Sequence, residues 1–268
     1  MTLSIVIVSA GGNPTALVER SAVPHELRPA VAAYLMGTLT PHVEQVGFLG
    51  EGSDADLQLD MAGDELCING IRSAATLAFS KNPMQSSWLI ATSGYDVPIR
   101  CRVFPAADRF ACTIYLPLQA KSMSLRPKFH LALFDTIAHF TLRVPALPDA
   151  RTIDHLAAEA RQRPDVRDFP AIGFIPFKQT MKEITIAPLV YTRATNTTVC
   201  ETACGSGSIA VALHALAPTL TEFRVTQPSG CVYDVLLMRS GSGWIATLDS
   251  EMSVGPRQVV DLPTSLVA

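Results

Sequence analysis

The sequence predicts an α+β protein of two pseudo-symmetric domains, each a curled, mostly antiparallel sheet around a central helix. Two observations lead to this prediction. The order strand, helix, strands, cysteine-bearing helix, strands occurs twice along the 268 residues. The polar, proline-bearing residues 121–129, typical of a linker, separate the two copies. We therefore expect one domain at residues 1–125, carrying Cys67, and a second at residues 126–268, carrying Cys204.

Hydrophobic periodicity and turn residues predict the elements of the first domain in order. A buried strand, LSIVIVSA, opens the chain and is followed by a short strand, ALVER. Residues 24–39 have helical spacing, with proline at the start and glycine near the end. A second helix is expected at residues 64–79. The other strand-like runs are VEQVGFL, ADLQLDMA, SSWLIATSG, IRCRVF and FACTIYLPL.

The second domain repeats this order. HLALFDTIAHFTLRV is expected to form two strands with a break at residues 137–139, and TIDHLAAEARQRP to form a helix. The second cysteine-bearing helix is ACGSGSIAVALHAL. The remaining predicted strands are FPAIGFIPF, EITIAPLVYTRA, TEFRVTQPS, CVYDVLLMR and GWIATLDSEMSV.

Composition excludes several classes of protein. The chain is 48% hydrophobic and 17% charged, with a net charge of −3 and no long basic run, which argues against nucleic acid as a partner. Its first apolar run is too short for a secretion signal, and no stretch reaches the length of a membrane span. We therefore expect a cytoplasmic protein that does not act at a membrane.

The six cysteines do not form a disulfide framework or a zinc site. Cys200 and Cys204 make a CxxxC pair, but no second pair or suitably spaced histidine completes a metal site. We expect no metal. Four of the thiols are expected to be small buried hydrophobic side chains, namely Cys101, Cys112, Cys200 and Cys231.

The two remaining thiols have similar surroundings in the sequence. When Cys67 is aligned with Cys204, Asn69 meets Ser206 and glycine meets glycine three residues on. Each thiol precedes a helix whose first N–H groups have no partner within the helix. Those groups and the helix dipole attract an anion. They are also expected to lower the pKa of each thiol.

Two such helix N-termini that face each other would suit one reaction. A carboxylate held between them would place the adjacent carbon between two thiols. One thiolate would remove a proton from one face and the other thiol would return a proton to the opposite face. The alternatives for CGSGS are a tight turn before a packing helix, a phosphate loop, or the nucleophile of a hydrolase. A second, matched cysteine disfavours these alternatives.

Five motifs together resemble the diaminopimelate epimerase superfamily of PLP-independent amino-acid racemases. They are ELCINGIRSA, ETACGSGS, AGGNPTALV, HVEQVGFL and DTIAHFTL, and they span the chain in the family's order. The resemblance implies that Cys67 and Cys204 are the catalytic acid/base pair and that no cofactor is needed. It also implies a set of substrate-binding residues, in which Asn69, Gly70, Gly205 and Ser206 hold the α-carboxylate, Asn13 approaches the substrate, and Gln45 matches a family glutamine.

Departures from the family pattern concern the substrate. Ile68 replaces the glycine after the first cysteine. The Glu-Arg pair that diaminopimelate epimerases carry before the second cysteine is absent, since Arg193 lies three residues too early. Gln58 and Ala171 stand at two positions where the family has asparagine. Because the missing groups bind the distal end of diaminopimelate, the departures argue against that substrate.

The MAGDELC segment resembles the histidine racemases that supply D-histidine to opine-type metallophore synthesis. Histidine is therefore the favoured substrate. The side chains that would recognise the imidazole cannot be identified from the sequence. Glu44, His139 and Glu201 are candidate polar contacts, although each also fits an ordinary surface or strand-end residue.

Two other functions stay open at this point. One is diaminopimelate epimerase itself, or another isomerase of the same fold. The other is a non-catalytic protein that binds a small molecule, although the presence of both cysteines disfavours it. In every case we expect a small-molecule amino acid as the partner, and a second copy of the chain in a homodimer.

Overall fold

The chain forms one mixed sheet that curves around its helices, with 17 strands in the described residues. The computed structural model describes residues 1–118, 121–126, 128–241 and 243–266. Within those ranges no helix is both long enough and apolar enough to span a membrane.

The first half of the chain contains seven strands and two α-helices. The helices are α1 (Arg28–Thr38) and α2 (Ile68–Lys81), and both lie where the spacing predicts them. The strands are β1 (Thr2–Ala10), β2 (Asn13–Glu19), β3 (Gln45–Glu51), β4 (Leu57–Met61), β5 (Ser87–Thr92), β6 (Tyr95–Ala106) and β7 (Arg109–Leu118).

The second half of the chain contains the other ten described strands. Its helices are α3 (Ala150–Arg161) and α4 (Gly205–Ala215). The strands are β8 (Lys121–Arg126), β9 (Phe129–Leu133), β10 (Ile137–Arg143), β11 (Ala171–Thr180), β12 (Glu183–Ile186), β13 (Leu189–Thr192), β14 (Thr197–Cys200), β15 (Glu222–Thr226), β16 (Val232–Ser240) and β17 (Gly243–Asp261).

Eight strands form a closed barrel around α2. Strands β1 to β7 pair in sequence order, and β17 pairs with both β7 and β1, which closes the ring. Helix α2 contacts all eight strands. Closure leaves no free edge on this ring. Because α2 is enclosed on every side, its buried residues run without interruption from Ile68 to Phe79.

Helix α4 lies against a second curved set of strands. It contacts β9, β10, β11, β15, β16 and β17, and it also touches α2. One hydrophobic core extends around both helices. Helix α3 is different, because it packs one face, carrying Ile153, Ala157 and Ala160, against a separate apolar cluster. Asp149 caps α3 by accepting a hydrogen bond from the Thr152 N–H at 2.8 Å.

Three local predictions are wrong. The predicted linker at residues 121–129 instead forms β8 and the start of β9, which pair as antiparallel strands; Pro127 lies outside the described residues. Its polar composition suits an exposed strand as well as a linker. The break predicted at residues 137–139 lies at residues 134–136, and His139 pairs with Gly173 inside the sheet. Cys200 is exposed rather than buried.

Candidate active site

Helices α2 and α4 begin in the same way, with a cysteine as the N-cap residue. The Sγ atom of Cys67 accepts a hydrogen bond from the Gly70 N–H at 3.2 Å. The Sγ atom of Cys204 accepts one from the Gly207 N–H, also at 3.2 Å. Each thiol therefore takes the position that a serine or aspartate oxygen usually has at a helix start.

The two helix N-termini are in direct contact. A Cβ atom on Gly205 would lie 2.7 Å from the Cβ of Ile68 and 3.0 Å from Oδ1 of Asn69, so only glycine fits there. The side-chain amide of Asn69 donates to the Ala203 carbonyl oxygen at 2.9 Å. Tyr233 donates to Oδ1 of Asn69 at 3.1 Å and holds it from the other side. The α2–α4 contact is thus fixed by both packing and hydrogen bonds.

One small cavity lies at this contact. Its volume is about 40 Å³, which is room for a few water molecules, so the structure shows the site in a closed state. Eight of the predicted site residues line it, namely Glu44, Gln45, Cys67, Asn69, Glu201, Cys204, Gly205 and Ser206. The others that line it are Glu65, Leu66, Ile68, Ile137, Val190, Thr192 and Val199.

Buried amides surround Cys67. The Cys67 thiol donates to Oε1 of Gln45 at 3.0 Å. The amide nitrogen of Gln45 donates to Oδ1 of Asn13 and to the Thr15 hydroxyl, both at 2.7 Å. These bonds fix the amide orientation, so the atom that faces Cys67 is an acceptor. In the closed state Cys67 is therefore held as a protonated thiol.

Asn13 and Glu44 connect this network to the segment before Cys204. The amide of Asn13 donates to Oε2 of Glu44 at 2.6 Å. The carboxylate of Glu44 also accepts from the Thr202 N–H at 3.0 and 3.1 Å. Burial raises the pKa of Glu44, while these hydrogen bonds oppose the rise. Asn13 does not line the cavity itself; its carboxamide holds Glu44, which does.

The surroundings of Cys204 include a hydroxyl and a buried imidazole. Oγ of Ser206 lies 3.8 Å from Sγ of Cys204 and 2.8 Å from Nε2 of His139. Burial lowers the pKa of His139 to about 3, so its ring is neutral. Oε1 of Gln227 accepts from the Cys204 N–H at 2.9 Å and secures the start of α4.

The prediction that the helix N-termini lower the thiol pKa values is wrong for the site as the structure shows it. Burial raises the pKa of Cys67, and the negative charge of Glu65 adds to the rise. Burial also raises the pKa of Cys204, with Glu201 as the next cause. The N–H groups of Gly70 and Gly207 do lower the values, but desolvation is the larger effect. Both thiols are therefore protonated at neutral pH.

Two buried carboxyl groups keep a large part of their protonated form at neutral pH. Burial raises the pKa of Glu65 to about 7 and that of Glu201 to about 8. A hydrogen bond between Glu201 and Cys204 opposes the rise for Glu201. Glu201 is thus the carboxyl group that interacts most directly with a candidate catalytic thiol.

Sequence reasoning missed three features of the site. Glu65 was not identified, although it stands only two residues before Cys67. His139 fits a surface or strand-end residue in the sequence, yet it is fully buried beside Ser206. Gln227, which follows β15, and Tyr233, which lies on β16, carry no sequence signal that links them to the two cysteines. Within the described residues, no group of three or more His, Cys, Asp or Glu side chains is arranged to hold a metal ion.

Comparison with known proteins places the chain in a family. The family model for the histidine racemase CntK N-terminal domain matches residues 2–250. The chain belongs to this family. The match confirms the predicted resemblance and makes the protein an isomerase of the racemase class. A histidine racemase of Fusobacterium nucleatum subsp. nucleatum is 24% identical over 237 residues, which cover 85% of this chain and 87% of the relative.

Solved structures share the fold of this racemase. A PhzF-family phenazine biosynthesis protein from Bacillus anthracis superposes with a TM-score of 0.65 and 11% identity, covering 98% of this chain and all of that one. A hydroxyproline epimerase from Agrobacterium vitis has a TM-score of 0.64 and 13% identity, covering 97% of this chain and 91% of that one. At these identities the likeness shows the fold alone.

Proposed function

We propose that the protein is a cofactor-independent histidine racemase in which Cys67 and Cys204 form an acid/base pair. The observation that supports this most directly is that the two N-cap thiols, on two helices that touch end to end, line one cavity. A carbon atom held in that cavity would have a sulfur on each side. Inversion at the carbon needs that arrangement, because a proton must leave one face and arrive at the other.

The α-carboxylate would bind at the two helix N-termini. N–H groups in the first turn of a helix have no partner within the helix, and the helix dipole makes that end positive. Asn69, Gly205 and Ser206 contribute such groups at the cavity wall. Those groups also stabilise the negative charge that develops on the carboxylate when the α-proton leaves.

The proton transfers follow from the hydrogen bonds of the two thiols. The minority of Glu201 side chains that are ionised at neutral pH take the proton of Cys204, to which Glu201 is hydrogen-bonded, and this leaves a thiolate. That thiolate takes the α-proton of the substrate and becomes a thiol again, while the substrate becomes a carbanion. Cys67, held as a thiol by Gln45, gives its proton to the opposite face and becomes a thiolate. The pair is then ready for the opposite enantiomer.

Histidine as the substrate is supported by the family and by the charge of the cavity. Three glutamates line the cavity, and none of the described lining residues is Lys, Arg or His. A second carboxylate, as in diaminopimelate, would meet three acidic side chains and no cationic one among these residues. Gln58 and Ala171, which replace family asparagines, do not line the cavity either. Diaminopimelate epimerase and a binding-only protein are therefore the weaker alternatives.

We also propose the two-domain organisation, with pseudo-symmetric halves at residues 1–125 and 126–268. It is supported by two helices that each begin at a cysteine and each lie against a curved set of strands. Strand β17 belongs to both sets, because it pairs with β16 and also closes the first barrel. The supply of D-histidine to metallophore synthesis stays a prediction from the resemblance, and a homodimer and a cytoplasmic location stay predictions from the sequence.

The proposed function is tested by α-proton exchange in heavy water. The protein is incubated without added cofactor with L-histidine, L-lysine, L-alanine and L,L-diaminopimelate in separate reactions, and loss of the α-proton signal is followed by NMR. A Cys67→Ser/Cys204→Ser double variant is the matched control. We expect exchange and D-enantiomer formation with histidine only. Exchange with diaminopimelate instead would favour the alternative substrate, and exchange in the double variant would exclude the cysteine mechanism.

A further inference from the structure

Glu65 is a buried carboxyl group that the proton transfers do not use. It lines the cavity two residues before Cys67, and its side chain is 9% exposed. Its Oε2 atom has no hydrogen-bond partner in the described part of the chain. A buried polar atom without a partner costs free energy, so it calls for a specific explanation.

We propose that Glu65 binds the ring N–H group of the substrate's side chain and makes the site selective for amino acids whose side chain is a flat ring that carries an N–H. This inference rests on the proposed function, since it takes the cavity as the substrate site. It assigns to Glu65 the specificity that the sequence left unassigned.

The backbone on either side of Glu65 is held rigidly. The Leu66 N–H donates to the Thr136 hydroxyl at 2.8 Å, and that hydroxyl donates to the Gly94 carbonyl oxygen at 2.9 Å. A Cβ atom on Gly94 would lie 2.2 Å from the Leu66 nitrogen, which shows how closely the two loops approach. The carboxyl group is therefore presented from a fixed position, as a binding group needs to be.

Glycine at position 63 makes room for the carboxyl group. A Cβ atom on Gly63 would lie 2.6 Å from Oε2 of Glu65 and 2.5 Å from the Thr192 methyl group. Glu65 and Thr192 therefore lie at the same end of the cavity. Val190 is two residues from Thr192 on β13, and both line the cavity. This end thus combines apolar side chains with one carboxyl group, which suits a flat ring that carries an N–H.

The other two glutamates of the cavity already have partners. Glu44 accepts hydrogen bonds from Asn13 and from the Thr202 N–H. Glu201 interacts with Cys204. The backbone N–H groups of Gly63 and of Glu65 itself approach the Glu65 carboxyl, but its Oε2 atom keeps no hydrogen bond. No Lys, Arg or His is among the described lining residues, so a hydrogen-bond donor on the ligand would complete this group. An imidazole N–H or an imidazolium ion supplies both a donor and a compensating charge.

The raised pKa of Glu65 agrees with this role. Burial raises it to about 7, so this carboxyl group does not carry a full buried charge at neutral pH. When an imidazolium ion binds, the pair of opposite charges replaces an unpaired carboxyl group. The ionised form of Glu65 is then stabilised by the ligand itself.

The test is isothermal titration calorimetry with L-histidine and L-alanine, on wild type, Glu65→Gln and Glu26→Gln. Glu26 is an exposed glutamate that does not line the cavity, so Glu26→Gln makes the same chemical change at the surface. We expect histidine to bind Glu65→Gln at least about tenfold more weakly than wild type, and Glu26→Gln to bind like wild type. Circular dichroism of each variant checks that it is folded.

The role of Glu65 and the proposed racemase function can be refuted separately. Histidine affinity that is equal in wild type and Glu65→Gln overturns the role of Glu65, and so does alanine binding as tight as histidine binding in wild type. Absence of histidine binding to wild type overturns it as well. If histidine binds in a Glu65-dependent way but its α-proton does not exchange in heavy water, the inference stands and the proposed racemase function fails.

Discussion

Replacing Gly205 with alanine tests whether the contact between the helix N-termini is as close as the structure shows. The new Cβ would lie 2.7 Å from the Cβ of Ile68, whereas carbon atoms in contact stand about 3.5–4.0 Å apart. The deficit is about 1 Å, and neither atom can rotate away because each is attached directly to a backbone. Overpacking of this kind costs about 1–3 kcal/mol of unfolding free energy.

A matched glycine in another helix provides the control. Gly37 lies in α1, and a Cβ atom there would have nothing within 4 Å. Gly37→Ala should therefore only raise the unfolding free energy, by up to about 1 kcal/mol, because alanine has the higher helix propensity. Urea unfolding of wild type, Gly205→Ala and Gly37→Ala measures both effects. The two substitutions should change the unfolding free energy in opposite directions.

A double-mutant cycle assigns the clash to Ile68. Ile68→Gly alone should destabilise the protein, because it removes a fully buried side chain. In the Ile68→Gly background, however, Gly205→Ala should cost less by about 1–2 kcal/mol. Racemisation by Gly205→Ala should fall by up to about 100-fold, since a shift of about 1 Å separates the two thiols. A stable, fully active Gly205→Ala protein, or a strictly additive cycle, would refute the close contact.

Two further outcomes follow from the burial of acidic groups. Because folding raises the pKa of Glu65 from 4.5 to about 7, its contribution to stability is fully present below pH 4.5 and is lost as the pH rises to about 7. In chemical unfolding, Glu65→Gln should therefore match wild type at pH 4 and be about 3 kcal/mol more stable at pH 8. A wild type that loses no stability relative to the variant over this range would contradict the assigned pKa. Thiol labelling of the native protein at pH 8 should modify the exposed Cys200 at least about tenfold faster than Cys67 or Cys204. Mass spectrometry of the peptides measures the three rates. Faster labelling of either buried thiol would show that this thiol is a thiolate without substrate.

Much of the fold, and the position of the two proposed acid/base cysteines at helix N-termini, could be predicted from local patterns. Small residues and apolar spacing over about a dozen positions predict the helices that begin after Cys67 and Cys204. Such signals depend on neighbouring residues, so the sequence carries them directly. The closure of the first barrel by β17 could not be predicted, because it joins residues more than 120 positions apart and depends on which strands meet in space.

The electrostatics of the site could not be predicted for a related reason. The N–H groups of Gly70 and Gly207 reach the sulfur atoms as the helix starts suggest. Their effect on the thiol pKa is outweighed by desolvation, which depends on how completely the two halves of the chain cover the cavity. The sequence predicts His139 at a strand break for the same reason, whereas it is buried inside the sheet. Burial is a property of the whole fold, and the sequence near a residue does not contain it.

Catalysis by two cysteines is tested most directly by α-proton exchange from each enantiomer of histidine separately. Wild type, Cys67→Ser and Cys204→Ser are each incubated in heavy water with L-histidine and with D-histidine, and both exchange and racemisation are followed. The two-base mechanism predicts that neither single variant racemises and that any exchange left in the two variants starts from opposite enantiomers. Racemisation at the wild-type rate by either variant, or exchange of the same enantiomer by both, would contradict it.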